Sequence, residues 1–245
     1  MTDPAIKSAK RVFEILEHFD RERRPLALKE ITAKFGYPPS SGSLLLKSLV
    51  TLGYLEYDQP SRTYFPTMRI AALGSWVQGS LFGEGEITRL MEHLHKKTKE
   101  TVILATRSGL YAQYVHVVHS GQPLHFGVPP GTRRPLANSG MGWLFLSTLG
   151  PKELDRVRRR INAEPLRRQK LSADDILRRI AQVRAKGYAF SKGSVSEGVG
   201  IVGMLLPKGA LGRRFAIGVA GPIGRLERRE KAIVDDLRSA IARYL

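Results

Sequence analysis

The stretch from Tyr37 to Asp58, YPPSSGSLLLKSLVTLGYLEYD, gathers residue types that suit contact with a polyanion. The hydroxyls of Ser40, Ser41, Ser43 and Ser48 can donate to phosphate oxygens or base edges, Lys47 supplies a cation, and the start of a helix offers backbone N–H groups to an anion. At about 100° per residue, the helix after Pro38 and Pro39 has two faces. Leu45, Leu46, Leu49 and Leu52 fall on one, and Ser40, Ser41, Ser43, Lys47, Ser48 and Thr51 on the other. Ser40 reads as its N-cap and Gly53 as its stop. Capping and solvation are the better account of an isolated serine cluster, so the reading depends on what surrounds this helix.

A second cluster lies in FGVPPGTRRPLANSGMG, a Pro/Gly loop leading into a helix whose first turn is small. Asn138, Ser139, Gly140 and Met141 set backbone N–H groups and two polar side chains at that start, which suits a carboxylate. Ordinary capping by Asn138 or Ser139 is the competing account. Arg133 or Arg134 could neutralise an acid there, although exposed loop charge is the more economical reading of both.

Other chemistry fails on context. Gly198-Val-Gly200-Ile-Val-Gly203 spells the dinucleotide fingerprint, but a strand carries these glycines and a Pro/Gly hairpin follows, where the fingerprint needs a helix. His116 and His119 point to opposite faces of a predicted strand, and His93 and His95 diverge on a helix. No catalytic residue, metal ligand or cofactor is therefore expected. An enzyme carrying an accessory winged-helix interaction domain is the alternative to a binding protein.

The elements that must position these residues follow from periodicity. Val12, Ile15, Leu16 and Phe19 make a first amphipathic helix ending before the turn Asp20 to Pro25, and Leu28, Ile31 and Phe35 a short second one closed by Gly36. After the third helix, Leu55 and Tyr57 alternate, Asp58 to Arg62 turn, and Tyr64 and Phe65 resume a two-stranded wing. This is the order of a winged helix-turn-helix, in which the second helix of the pair enters the major groove. Ile70, Leu73, Trp76, Val77 and Leu81 then line one side of a connecting helix. Beyond Gly85, Ile87, Leu90, Met91 and Leu94 mark a helix, and TVILAT and LYAQYVHVV flank a hairpin. A helix capped from Ser172 to Asp175 closes at Gly187. IVGMLL pairs with RFAIGVA, and a last helix from Leu226 to Leu245 buries Ile233, Leu237 and Ile241. Hairpin-linked strands with helices kept apart indicate an α+β domain.

The totals bound these readings. The chain has 245 residues, a net charge of +18 and no cysteine, so thiolate sites and disulfides are excluded. No apolar run approaches the roughly 18 residues of a membrane span, and no secretory leader is visible, so a cytoplasmic protein without membrane contact is expected. Residues 1–80 hold 11 Lys and Arg against 8 Asp and Glu, leaving 29 against 14 for residues 81–245. The basic excess thus lies outside the candidate reader. Much of it sits between Arg156 and Arg179, where a solvated helix face is favoured over a second phosphate-contact surface.

SAKRVFEILEHF, ALKEITAKFGYPPSSGSLLLKSLVTLGYLEYD and RTYFPTMRIAALG resemble the N-terminal domain of IclR-type transcriptional regulators, and RPLANSGMGWLFL, KGYAFSKGSVSEGVGIVGMLLP and FAIGVAGPIGRL resemble that family's effector-binding domain. The resemblance implies a winged helix-turn-helix at residues 1–67, a linker helix at 68–83 and a GAF-like antiparallel-sheet effector-binding domain at 84–245. It implies a ligand-responsive regulator of catabolic genes, repressor or activator, acting on double-stranded operator DNA as a homodimer or homotetramer paired through the linker helix. The DNA-facing residues are expected to be Ser40, Ser41, Ser43, Leu44 and Ser48; many members carry an arginine where this chain has Leu44, so the operator sequence does not carry over, and affinity is expected to lean on dimer avidity and on phosphate contacts from Lys47, Arg62 and Arg69. The resemblance places Ser191, Val199, Ile201 and the Ile217–Gly218 stretch of AIGV facing a small-molecule effector, alongside the helix start at Asn138 to Met141. Ser191 and Ile201 replace an acidic residue and a cysteine of some members. With Phe126 and Met141 nearby, the implied pocket is more apolar and suits a larger or aromatic organic acid.

Overall fold

A computed structural model describes residues 6–74, 85–163, 173–207 and 213–245. The chain divides into two compact units, Met1–Gln78 and Gly79–Leu245.

In the first unit, α1 (Lys7–Glu22), α2 (Leu28–Phe35) and α3 (Pro39–Thr51) surround a core of Ile15, Phe19, Ile31, Leu46 and Leu49. The first helix runs through Asp20 to Glu22 rather than stopping before it, because Arg23 adopts a left-handed conformation and its amide closes on Phe19 O. The wing is three-stranded. A two-residue β1 (Leu26–Ala27) pairs with β3 (Thr63–Pro66), which also pairs with β2 (Leu55–Asp58), in the order β1-β3-β2. Two residues are too short for a period-2 signal, which is why β1 is invisible in the sequence.

Two expectations for α3 are corrected. Its N-cap is Pro38, with Pro39 at the first helical position, so Ser40 lies inside the first turn and no side chain caps the helix. Two consecutive prolines fix the extended-to-helical switch, and Pro39 has no N–H to satisfy. Leu52, expected in the core, is 56% exposed. Its place on the apolar stripe is taken by Gly42, which is buried where α2 and α3 cross: a Cβ on Gly42 would stand 2.4 Å from Thr32 Cγ2. The linker helix begins as α4 (68–74), and its expected continuation to 83 lies outside the described residues.

The second unit is built on a six-stranded antiparallel sheet in the order β6-β5-β4-β9-β8-β7. Its strands are β4 (Thr101–Ser108), β5 (Tyr111–Val118), β6 (Arg133–Pro135), β7 (Ala189–Lys192), β8 (Val199–Leu205) and β9 (Phe215–Pro222). Along β9, Ile217 and Val219 pack with Leu90, Met91 and Leu94 of α5 (Glu86–Thr98) and Ile233 and Leu237 of α10 (Glu230–Tyr244). Ala216 and Ala220 face the other way, toward α6 (Gly140–Ser147), α7 (Pro151–Asn162) and α8 (Ala173–Lys186). Strict alternation sends neighbouring residues to different layers. Every residue from Gly140 to Leu146 is buried, so α6 is an interior helix, apolar all round. The expected single C-terminal helix is broken into α9 (Ile223–Arg228) and α10 at Arg229, whose backbone is non-helical and whose Nη1 donates to Thr98 O at 2.9 Å. The hairpin glycines Gly209 and Gly212, and Ser172, lie outside the described residues.

Among the described residues, several arginines of the basic run and one just beyond it are engaged locally. Asp155 pairs with Arg158 and Arg159, Asp175 with Arg178, Arg179 stacks 4.4 Å from the Trp143 ring centre, and Arg184 donates to Ser147 O and Leu149 O.

Gly42→Ala is expected to destabilise the first unit by roughly 1–3 kcal/mol through overpacking, and adding Thr32→Ser, which deletes the obstructing methyl, to recover most of that loss. Denaturant unfolding of the single and double variants measures both effects. An unaffected single variant would mean that the helices part at no cost.

Candidate nucleic-acid interface and ligand recess

Fixing Gly42 inward decides which residues of α3 face out. Ser40, Leu44, Lys47, Ser48 and Thr51 form one exposed stripe, with Leu44 at its centre and 69% exposed. Ser41 and Ser43 are half-buried on either flank. Ser48 Oγ donates to Leu44 O at 2.8 Å, which leaves its lone pairs to accept. With no side chain capping α3, its first turn presents unsatisfied backbone N–H groups beside these hydroxyls. Two of the expected phosphate contacts stand apart from the stripe. Arg62 is exposed in the turn between β2 and β3 with a φ of 54°, and Arg69 lies over the Tyr54 ring, 5.1 Å from its centre, beyond the C-terminal end of α3.

The turn before α3 is braced by aromatic rings. Arg11 sits over Tyr37, Tyr37 stacks on Phe35 with centres 5.2 Å apart, and Phe35 meets the edge of His18 at 5.4 Å. The Tyr37 hydroxyl donates to Glu14, and burial together with that bond pushes its pKa up to about 12, so it remains a donor. His18 is 5% exposed and its Nδ1 has no hydrogen-bond partner. Burial pushes its imidazole below the ordinary value of 6.5, with Glu22 opposing in part.

In the second unit a narrow recess opens on the α6 side of the sheet. Of the ten residues expected to meet an effector, it brings together Phe126, Ser139, Ser191, Val199 and Ile201, and adds Tyr114, Arg134, Ser194, Val195 and Ser196. Its inner volume of about 20 Å³ has room for one water. The other five expected residues do not line it. Ile217 is turned to the α5–α10 layer, because adjacent Ile217 and Gly218 cannot share a face. Gly218 and Met141 are on the correct face but fill each other's space: a Cβ on Gly218 would lie 3.0 Å from Met141 Cε. Gly140 is pressed against Ser191, whose Oγ would be 2.8 Å from a Cβ there, and Asn138 is half-buried in the preceding turn. Ser139 is the N-cap of α6; its Oγ accepts from Gly142 N at 3.1 Å and donates to Pro135 O at 2.9 Å.

Arg134 is the residue that sequence reasoning undervalued. It pairs with Ala112 across β5 and β6, on the same side as core residue Tyr114, whereas Arg133 points outward and stacks on Tyr111 at 4.2 Å. The strand alternation of RRP was the available signal, but β6 has only three residues. Burial pushes the Tyr114 hydroxyl upward in pKa, and the hydrogen-bonded Arg134 guanidinium partly offsets this. Among the described residues that line the recess there is no carboxylate, and Arg134 is the cation.

Of the fingerprint-like run, Gly198 takes a left-handed turn conformation with a φ of 73°, and Gly200 and Gly203 have packing roles. A Cβ on Gly200 would meet Leu226 and Phe190 at 3.1 Å, and one on Gly203 would meet Met141 Sδ at 3.1 Å. Among the described residues no three His, Cys, Asp or Glu converge as metal ligands, and no helix is long and apolar enough to cross a membrane.

The profile of the bacterial transcriptional regulator IclR C-terminal domain matches residues 85–243, and that of the IclR helix-turn-helix domain matches residues 8–59. The HTH-type transcriptional regulator XynR of Escherichia coli is 24% identical over 197 residues, spanning 80% of this chain and 78% of its own. A transcriptional regulator from a Rhodococcus species superposes with a TM-score of 0.74 at 23% identity, covering 97% of this chain and 96% of that one. An IclR homologue from Microbacterium hydrocarbonoxydans, solved in complex with 4-hydroxybenzoate, superposes with a TM-score of 0.72 at 20% identity over 96% of each chain.

His18 makes folding pH-dependent. The unfolded chain takes up a proton near 6.5 and the folded chain only at lower pH, so its contribution is complete above 6.5 and is lost as the pH falls below that value. The unfolding midpoint of the native protein should drop more between about pH 7.5 and about pH 5.5 than that of His18→Leu. Parallel curves for the two proteins would contradict this.

Proposed function

Because the chain belongs to the IclR family of bacterial transcriptional regulators, we propose that α3 reads operator DNA and that the recess takes the carboxylate of a small organic acid. The protein is a DNA-binding transcription factor, not an enzyme with an accessory winged helix. The observation that carries the assignment of the reading face is the bare stripe of α3, set outward by the buried Gly42 on its opposite side.

The stripe enters the major groove with Ser40, Ser41 and Ser43 leading, Leu44 against a thymine methyl, and Lys47 and Ser48 toward the backbone. Arg62 from the wing and Arg69 from the start of α4 reach flanking phosphates. So few cations on the reader favour a homodimer or homotetramer that engages paired half-sites and gains by avidity. Apolar residues support a second copy as the cover of the first unit: Ile6, Phe13, Met68 and Leu73 are 74%, 64%, 81% and 57% exposed. Residues 1–67 form the reader, 68–83 the connector and 84–245 the effector-binding domain, and the protein works in the cytoplasm, where its operator lies.

Arg134 meets the effector's carboxylate, flanked by the hydroxyls of Ser191, Ser194 and Ser196, while Tyr114, Phe126, Val199 and Ile201 hold an apolar or aromatic body. The 4-hydroxybenzoate held by the Microbacterium homologue has this chemistry, and genes for breaking down such an acid are the matching targets. A recess with room for one water must widen to admit a benzoate. Ligand binding therefore selects a second arrangement of the domain, and through linkage an altered DNA affinity.

A gel shift against the DNA upstream of the protein's own gene tests the reader. Native protein should give a discrete, salt-sensitive complex, and Ser43→Glu and Leu44→Glu should abolish it with unchanged circular dichroism. Tight binding by both variants would place DNA on another face. For the recess, 4-hydroxybenzoate and related monocarboxylates should raise the unfolding midpoint, and Arg134→Ala should weaken the best of them by about tenfold or more, the worth of a charge-assisted hydrogen bond. Equal affinity in the variant would remove Arg134 from the site.

A further inference from the structure

The two segments that wall the recess are far apart in sequence, and one short helix holds both. Residues 119–127 carry Phe126, residues 193–198 carry Ser194, Val195 and Ser196, and α9 is tied to each. Arg225 of α9 donates from Nε to Glu100 Oε1 at 2.7 Å, and from Nη2 both to Glu100 Oε2 and to Leu124 O at 2.8 Å. At the first residue of α9, Ile223 N donates to Gly198 O at 3.0 Å, and Glu227 receives Lys192 Nζ at 2.9 Å, next to the start of the second segment.

The Glu100 carboxylate is the fixed point of this arrangement. The residue is 1% exposed and lies against Gly221, where a Cβ would stand 2.4 Å from Oε2. Desolvating such a pair offsets most of its attraction, so a buried ion pair contributes less to net stability than to geometry. Its forked bonds set the direction of the guanidinium, and the remaining Nη2 proton is thereby aimed at Leu124 O. The strands behind are fixed independently by the β4–β9–β8 ladder. Residues 119–127 are also pinned near the sheet, by Ser120 Oγ and Gln122 Nε2 to Lys99 O at 2.6 and 2.8 Å and by Thr101 Oγ1 to Phe126 O at 2.8 Å, and between these points Arg225 supplies the tie from Leu124 to α9.

We propose that α9 is a bracket that sets the width of the recess, with Arg225 and Glu100 as its positioning residues: neither touches the ligand, and both walls take their spacing from them. The part concerning ligand affinity rests on the recess being the effector site; the part concerning wall mobility does not. An acid wider than the recess must work against this bracket, so the pair sets the penalty for opening and hence which acids fit.

Arg225→Lys keeps a cation beside Glu100 but cannot fork to the carboxylate and reach Leu124 O together. In the full-length protein, amide hydrogen exchange in this variant should accelerate by about tenfold in both 119–127 and 193–198, the effect expected of losing one charge-assisted bond, while β4, β8 and β9 keep their native rates. The double variant Glu100→Gln, Arg225→Gln, free of an uncompensated buried charge, should behave alike. Faster exchange in neither segment or in only one, or faster exchange spread evenly over the sheet, would overturn the bracket. With 4-hydroxybenzoate as probe, Arg225→Lys should change affinity severalfold and shift the preferred ring size among substituted benzoates. If the walls loosen but no benzoate binds native protein, or benzoates bind Arg134→Ala as tightly as native protein, the bracket stands and the effector reading fails; if binding depends on Arg134 and Arg225→Lys keeps the native order of preference, the bracket fails and the effector reading stands.

Discussion

Gly42 of α3 and Thr32 of α2 meet at a distance that leaves no space for a Cβ, and this contact sets how the reading helix lies in its unit. Rolling α3 to relieve it would carry Leu46 and Leu49 out of the core and bring Leu44 and Lys47 toward it. The Pro38–Pro39 entry and the left-handed Gly53 exit fix the ends of the helix, and the crossing at Gly42 fixes its rotation. A DNA-reading surface needs that rigidity, since base contacts tolerate errors of only a fraction of an ångström. The rings of His18, Phe35 and Tyr37 stiffen the turn in front of it.

The same device recurs in the second unit. Gly142 of α6 lies so close to the Leu136 backbone that a Cβ would fall 2.1 Å from its carbonyl oxygen, while Met141 descends onto Gly203 and Gly218. These approaches seat a wholly apolar helix directly on the sheet and leave the recess as a gap at its start. At the helix terminus expected to hold an anion, the Gly142 amide is already taken by Ser139. The cation that lines the recess is Arg134, which enters from a neighbouring strand.

The charge distribution fits this division of labour. The reader is only slightly basic, and several arginines of the second unit serve its own carbonyls, rings and carboxylates: Arg184 closes the end of α6, Arg179 covers Trp143, and Arg225 and Arg229 tie α9 to the region around Glu100. Arginine suits these tasks because its planar fork can serve two acceptors at once. A high net charge therefore need not mean a second DNA surface.

Local pattern carried the architecture. The three-helix order with a wing, the hairpin of β4 and β5, the pairing of β8 with β9 and the polar stripe of α3 all follow from periods of 3.6 and 2 and from glycine and proline punctuation, because each involves residues close in the chain. The sequence by itself also identified the family, through motifs placed in order along both halves. Tertiary structure alone decided the depth and roll of α3, the brief strand β1, the break at Arg229 and the membership of the recess. Each of these depends on which distant segments pack together. Whether Ile217 or Gly218 faces the recess, and whether Arg133 or Arg134 enters it, turns on the register and side of a strand in an assembled sheet. A shift of one residue reverses the answer.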